Sequence, residues 1–120
     1  MPYVDGFVLA IPKKNLKIYK RIAQQAGKVW KKHGALEYIE CAGDDLKVKW
    51  GVPFPRTVRT KKGETVVFSW IVYKSRAHRD SVNKKVMKDP RMNVIMNDVK
   101  GMPFDMKRMS YGGFKPIVAL

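Results

Sequence analysis

A chain of 120 residues with 45 % hydrophobic and 11 % aromatic side chains has the material for one core, which predicts a single domain over 1–120 and excludes wholesale disorder. No apolar run approaches the roughly 20 residues that span a bilayer, so no membrane partner is expected. Twenty-five Lys and Arg against ten Asp and Glu leave a net charge of +15, which favours anionic partners.

Met1 to Lys13 has no basic region ahead of its apolar residues, and with a lone Cys41 this predicts a cytoplasmic protein without an intrachain disulfide. Cys41 is expected to pack as a small buried hydrophobe. The elements then follow in order. Tyr3 to Ile11 reads as a strand ended by Pro12. Asn15 is placed to cap a helix whose apolar stripe is Tyr19, Ile22, Ala23, Ala26, Val29 and Trp30. Its outer face is basic, and Gly34 suits a left-handed C-terminal position.

A second strand is expected over about Ala35 to Cys41. Gly43 to Gly63 reads as a long irregular connection, anchored by the alternating Val48, Trp50, Val52 and Phe54, and such a connection is expected to be a functional or regulatory edge. Glu64 to Tyr73 is the clearest strand. Ser75 caps a helix to about Lys88, and Asp89-Pro90 starts a short amphipathic helix through Met92, Ile95, Met96 and Val99. Gly101-Met102-Pro103 stops it, and Arg108 to Val118 is a last strand. Methionine recurs at positions 87, 92, 96, 102, 106 and 109, which reads as adaptable core filling.

The order βαββα(α)β predicts an α+β fold of ferredoxin-like topology, an antiparallel sheet with helices on one face. Both faces of the third strand are apolar. Val66, Phe68, Trp70 and Val72 point one way, while Val67, Ile71 and Tyr73 point the other. The face without helices needs a cover, and a second copy of the chain is the simplest one, so a homodimer is expected.

Several blocks then carry a resemblance: Tyr3-Val4-Asp5-Gly6-Phe7, His33-Gly34-Ala35, Val66 to Val72, Asp89-Pro90-Arg91-Met92, Met102-Pro103-Phe104-Asp105 and Tyr111-Gly112-Gly113-Phe114. Together they resemble the YbaA-like family of uncharacterised bacterial proteins, itself similar to the dimeric α+β barrel superfamily. The resemblance implies a dimeric α+β barrel. It does not imply an activity, because that superfamily holds monooxygenases, haem-degrading enzymes, isomerases and proteins of unknown role.

The residues point to three functions. A small molecule bound between sheet and helices has Asp5, His33, Trp70, Arg108 and Tyr111 as its candidate pocket residues. Cofactor-free monooxygenase-like chemistry would use the same pocket. Electrostatic nucleic-acid (RNA) binding, as weak, nonspecific polyanion binding, has candidates in Lys17, Lys20, Arg21, Lys28 and Lys31 of the first helix and Arg56 and Arg59 of the basic 47–62 loop. Lys62 to Ser69 lacks the aromatic and glycine pattern of an RNA recognition motif, so any such binding is phosphate-directed. The only histidines, His33 and His78, lie on different helices, and no Cys-x-x-Cys is present; neither a metal nor a cofactor is expected.

Overall fold

The computed structural model describes residues 1–97 and 103–120. Its strands are β1 (Tyr3–Pro12), β2 (Glu37–Ala42), β3 (Glu64–Tyr73) and β4 (Ser110–Phe114). Its helices are α1 (Leu16–Lys32), α2 (Phe54–Thr57), α3 (Arg76–Lys88) and α4 (Pro90–Asn97), with 3-10 turns at Lys13–Asn15 and Met106–Arg108. The sheet order is β2-β3-β1-β4 and every neighbouring pair is antiparallel. The β1-α1-β2 crossover steps over β3, and the β3-α3-α4-β4 crossover steps over β1. This is the ferredoxin-like arrangement, and its α+β class is the one expected.

Local chemistry explains most boundaries. Gly34 ends α1 at φ +114°, a conformation that L side chains rarely adopt. Ser75 Oγ accepts a hydrogen bond from the backbone N–H of His78 at 3.1 Å and starts α3. Asp89 Oδ1 accepts from the N–H of Arg91 at 2.9 Å, with Pro90 opening α4. Asn15 departs from expectation. It sits in a 3-10 turn, and its side-chain amide donates to the Pro103 carbonyl at 2.8 Å instead of capping α1.

Strand register sets the two faces. Asp5 pairs with Ile71, Phe7 with Ser69 and Leu9 with Val67, and these look toward the helices. Val4, Gly6, Val8 and Ala10, paired with Val72, Trp70, Phe68 and Val66, look away. The helix-side core falls into two clusters. One contains Val29, Ile71, Tyr73, Val82, Val86 and Ile95; the other contains Leu9, Ile11 and Val67. Burying a residue such as Val86 contributes about 1.5–3 kcal/mol.

Three expectations need correction. Cys41 is exposed, because β2 is an edge strand and Cys41 sits beside Phe68 on the face away from the helices. Val48, Trp50 and Val52 do not anchor the long connection; all three are exposed, and only Phe54 touches the sheet, its ring 5.9 Å from that of Phe68. The last strand is short. Arg108 lies in the preceding 3-10 turn, and Pro116, with no N–H to donate, stands just beyond the final paired residue Phe114. Val99, Gly101 and Met102 lie outside the described residues.

Candidate functional site: the cavity between sheet and helices

The two core clusters leave a cavity of about 630 Å³ between them, roofed by α1, α3 and α4. Phe7, Leu9, Ile22, Ala26 and Ile71 line its apolar walls. Met87, Met92, Met96, Met106 and Met109 line it too, and Met92 and Met109 also pack against the two core clusters, so core filling holds for those two. Unbranched thioethers adapt to irregular contents, which suits a cavity wall.

Polar groups converge at one end. Asp5, only 6 % exposed, accepts from Arg79 Nη1 at 2.9 Å. Arg79 Nε donates to Asp80 at 2.8 Å, and the guanidinium lies 4.9 Å over the Tyr3 ring. One turn further along α3, Asn83 Oδ1 accepts from Trp30 Nε1 at 3.1 Å and from the Tyr73 hydroxyl at 3.2 Å. Burial raises the Asp5 carboxyl above its usual range, and the charge of Arg79 only partly offsets this. Burial and the nearby Asp5 likewise push the Tyr73 phenol up.

A second polar cluster closes another wall. Tyr38 and Glu40, two residues apart on edge strand β2, face the same way. Glu40 accepts from the Tyr19 hydroxyl at 2.5 Å and from the Tyr38 hydroxyl at 2.8 Å, so each carboxylate oxygen is engaged. Burial and the Glu40 charge raise both phenols and keep them as donors. Gly27 makes room for this arrangement: a Cβ there would stand 2.7 Å from the Tyr38 ring. Beyond this wall lies an outer groove of about 850 Å³ between α1 and β2, rimmed by Lys20, Lys28, Lys31 and Lys32.

Of the five sequence-predicted pocket residues, Asp5, Trp70 and Tyr111 border the cavity; the Tyr111 ring stacks on Phe7 at 6.0 Å. Trp70 does so from its place on β3, with its indole facing away, and His33 and Arg108 are placed elsewhere. Trp70 pairs with Gly6, so parity turns its side chain to the opposite face of the sheet, where Nε1 donates to Glu37 at 3.3 Å. His33 bonds Asp89 at 2.7 Å beyond the end of α1. Arg108 binds both oxygens of Glu64, at 2.8 and 2.7 Å, and donates to the Arg59 carbonyl at 2.9 Å. Sequence reasoning missed Arg79, Asn83, Glu40, Tyr19 and Tyr38. Arg79 and Asn83 are four apart on α3, a spacing that places them on one face, but only the fold shows that this face meets Asp5.

The Glu64–Arg108 pair has a consequence for acid stability. Hydrogen bonding from Arg108 holds the Glu64 carboxyl at about 2, below its usual 4.5. A depressed carboxyl contributes stability that is complete above its unfolded value and is lost as pH falls through its folded value. The Tm advantage of the native protein over Arg108→Gln is therefore expected to be full above pH 4.5 and to shrink toward pH 2. An advantage that stays constant across that window would remove Glu64 as its source.

The polyanion candidates are on the surface. Lys17, Lys20, Arg21, Lys28 and Lys31 are exposed along α1, and Arg56 and Arg59 are exposed on the connection. At about 100° per residue the five α1 cations fall within an arc of about 100°. Lys31 also donates to the Leu36 carbonyl at 2.8 Å. Among the described residues no group of three His, Cys, Asp or Glu side chains is placed to hold a metal ion, and no helix is long and apolar enough to cross a membrane.

Comparison with known proteins follows the fold. A NIPSNAP family protein from Agrobacterium tumefaciens superposes with a TM-score of 0.61 at 13 % identity, covering 97 % of this chain and 93 % of that one. A dimeric ferredoxin-like protein from an uncultured marine organism gives 0.57 at 12 % identity with full coverage of both (100 % and 100 %). SnoaB, a cofactor-independent oxygenase from Streptomyces nogalater, gives 0.54 at 10 % identity, covering 99 % and 96 %. At these identities the likeness establishes the fold alone. In sequence, the uncharacterized protein YbaA of Escherichia coli (strain K12) is 43 % identical over 118 residues, 98 % of each chain. The resemblance read from the short blocks is thus borne out, and residues 2–106 match the family model described as "Protein of unknown function (DUF1428)", so this chain belongs to that family.

Proposed function

We propose that this protein is a homodimer whose subunits each hold a small, largely apolar molecule in the cavity between sheet and helices. The observation that carries this reading is the cavity itself: apolar and methionine-rich walls with buried Asp5 and half-buried Arg79 and Asn83 at one end. Ligand sites commonly combine an apolar enclosure with a few fixed polar groups that orient the bound molecule. The Arg79 guanidinium and the Asn83 amide can donate to a ligand oxygen, while Asp5 can accept, which favours a ligand with a hydroxyl or carbonyl at one end. The homodimer is supported by the uncovered apolar face of the sheet and by the family resemblance.

A naphthalene sulfonate fluorophore tests the cavity. It is expected to brighten with one site per protomer. Ala26, buried on α1 at the cavity wall, offers a way to fill the space. Ala26→Trp is expected to weaken binding at least about tenfold, roughly 1.4 kcal/mol, with the circular dichroism spectrum unchanged. Undiminished binding by that variant would place the fluorophore outside the cavity.

A second reading is favoured by the α1 cations. Five exposed positive charges within one arc, over roughly 21 Å of helix, match a run of phosphates. Affinity for duplex DNA or RNA is expected to fall steeply with salt, with a log–log slope of about −0.9 per duplex-DNA phosphate contacted. Changing Lys17, Lys20 and Lys28 to Gln is expected to flatten that slope. Absence of binding at low salt would end this reading.

A further inference from the structure

The groove between α1 and β2 is a second concavity, parted from the cavity by the wall of Tyr19, Tyr38 and Glu40. Its two ends differ in chemistry, because α1 runs back along β2. At one end Leu16 packs against Val67, and Val67 pairs with Ala42 at the close of β2. At the other end the last turns of α1 bring Lys28, Lys31 and Lys32 beside the start of β2. There Lys31 Nζ donates to the Leu36 carbonyl at 2.8 Å, which ties the helix end to the strand. Between the two ends Ala23 and Gly27 are too small to fill the floor. The space of about 850 Å³ is therefore apolar at one end and cationic at the other, along about 22 Å of helix.

The cations have no anion of the chain's own. Glu40 is the one acid bordering the groove, and its two oxygens are taken by the Tyr19 and Tyr38 hydroxyls. No salt bridge among the described residues involves a lysine. Lysine stems lie readily along an apolar wall while their ammonium groups stay at its rim, where an anion can meet them. Lys31 spends one of its three donors on Leu36 and keeps the others.

We propose that the groove binds a free fatty acid, with its carboxylate at Lys28, Lys31 and Lys32 and its tail directed toward Leu16, Ala42 and Val67. This site is distinct from the cavity and does not rest on the reading given above. Apolar lining at one end and unpaired cations at the other match a single-chain amphiphile head to tail. A nucleic acid matches less of it: Lys17 and Arg21 lie outside the groove, and phosphates gain nothing from the Leu16 end. A bilayer surface calls for apolar groups that project into it, whereas these line a concavity.

Titration calorimetry with decanoate, at concentrations below micelle formation, tests the site in the full chain. Decanoate is expected to bind saturably. Changing Lys28, Lys31 and Lys32 together to Gln is expected to weaken it about tenfold, the sum of three exposed ion pairs. The same change at Lys13, Lys14 and Lys84, exposed lysines away from the groove, removes equal charge and is expected to alter affinity less than about twofold. Ala42→Asp, an exposed position at the tail end, is expected to weaken decanoate at least about tenfold and to weaken the uncharged 1-decanol as well. Each of these changes is on the surface, and circular dichroism is expected to stay unchanged.

Equal weakening by the two lysine triples would make the attraction one of overall charge and overturn the proposal. Decanoate affinity that is indifferent to Ala42→Asp would overturn it too. Binding abolished by Ala26→Trp yet retained by the Lys28, Lys31 and Lys32 variant would put decanoate in the cavity, which rejects the groove and keeps the cavity reading. Affinity that falls as protein concentration rises would mean that a second copy occupies the groove. Partition onto phosphatidylglycerol vesicles without saturable binding of free decanoate would make a membrane the partner. Both of these results overturn the proposal.

Discussion

Arg79→Ala is expected to destabilise the protein by about 3–5 kcal/mol, the usual cost of stranding one partner of a buried ion pair. The reason lies in what remains. Asp5 sits in the middle of β1, faces the helices, and is nearly inaccessible to solvent. Its charge is balanced by Arg79 at 2.9 Å, and Arg79 is in turn held by Asp80 and the Tyr3 ring. Without the guanidinium, the carboxylate keeps only the neutral groups of Asn83 and Tyr73 beside it.

For a chain of this length the loss corresponds to a fall in Tm of roughly 10–25 °C. The pH dependence carries a definite sign. Burial already raises the Asp5 carboxyl above 3.8, so its contribution is present below that value and declines as pH rises through the folded value. Removing Arg79 widens that window upward, so Arg79→Ala is expected to recover relative to the native protein as pH falls from 7 toward 4. Asp5→Leu combined with Arg79→Ala is expected to be more stable than Arg79→Ala alone. Melting curves at fixed protein concentration measure all of this. A single variant within about 2 °C of the native Tm would show that water reaches the pair and screens it.

Phe68→Glu is expected to convert the proposed dimer to monomer while leaving the subunit folded. Phe68 is 43 % exposed in the isolated chain, so burial of the remainder contributes only about 1 kcal/mol per copy. The introduced carboxylate matters more, because an unpaired charge inside an apolar interface costs several kcal/mol. Twofold symmetry counts each term twice. The sum is at least about 6 kcal/mol, or about 10⁴-fold in the dissociation constant. Gln24→Glu, on the exposed side of α1, is the matched control and is expected to leave the dimer intact. Sedimentation at micromolar concentration measures both. A Phe68→Glu chain that still sediments as a dimer would move the interface off this face of the sheet.

Much of this architecture is legible in the sequence because it is written in short-range chemistry. Alternation over Glu64 to Tyr73 places β3 at its observed bounds. Ser75, Gly34 and Asp89-Pro90 act within a turn of their own backbone, so their roles as helix start and stop follow from residue type. Even the face that wants a cover follows from period-two patterning. What strand and helix patterns leave open is which distant groups meet. Asp5 reads as a lone acid in an apolar strand until α3 brings Arg79 to it across 74 positions of sequence. Trp70 and Arg108 look like pocket residues by type, yet register turns the Trp70 indole to the far face while its strand still borders the cavity, and a 3-10 turn gives Arg108 to Glu64. Cys41 is exposed because β2 has a neighbour on one side only, a property of sheet order and not of the residue. Most helix, strand and cap positions were thus determined locally by the amino acids, whereas the cavity, its polar end and the exposure of Cys41 were decided by tertiary structure, because each depends on how elements far apart in the chain are set against one another.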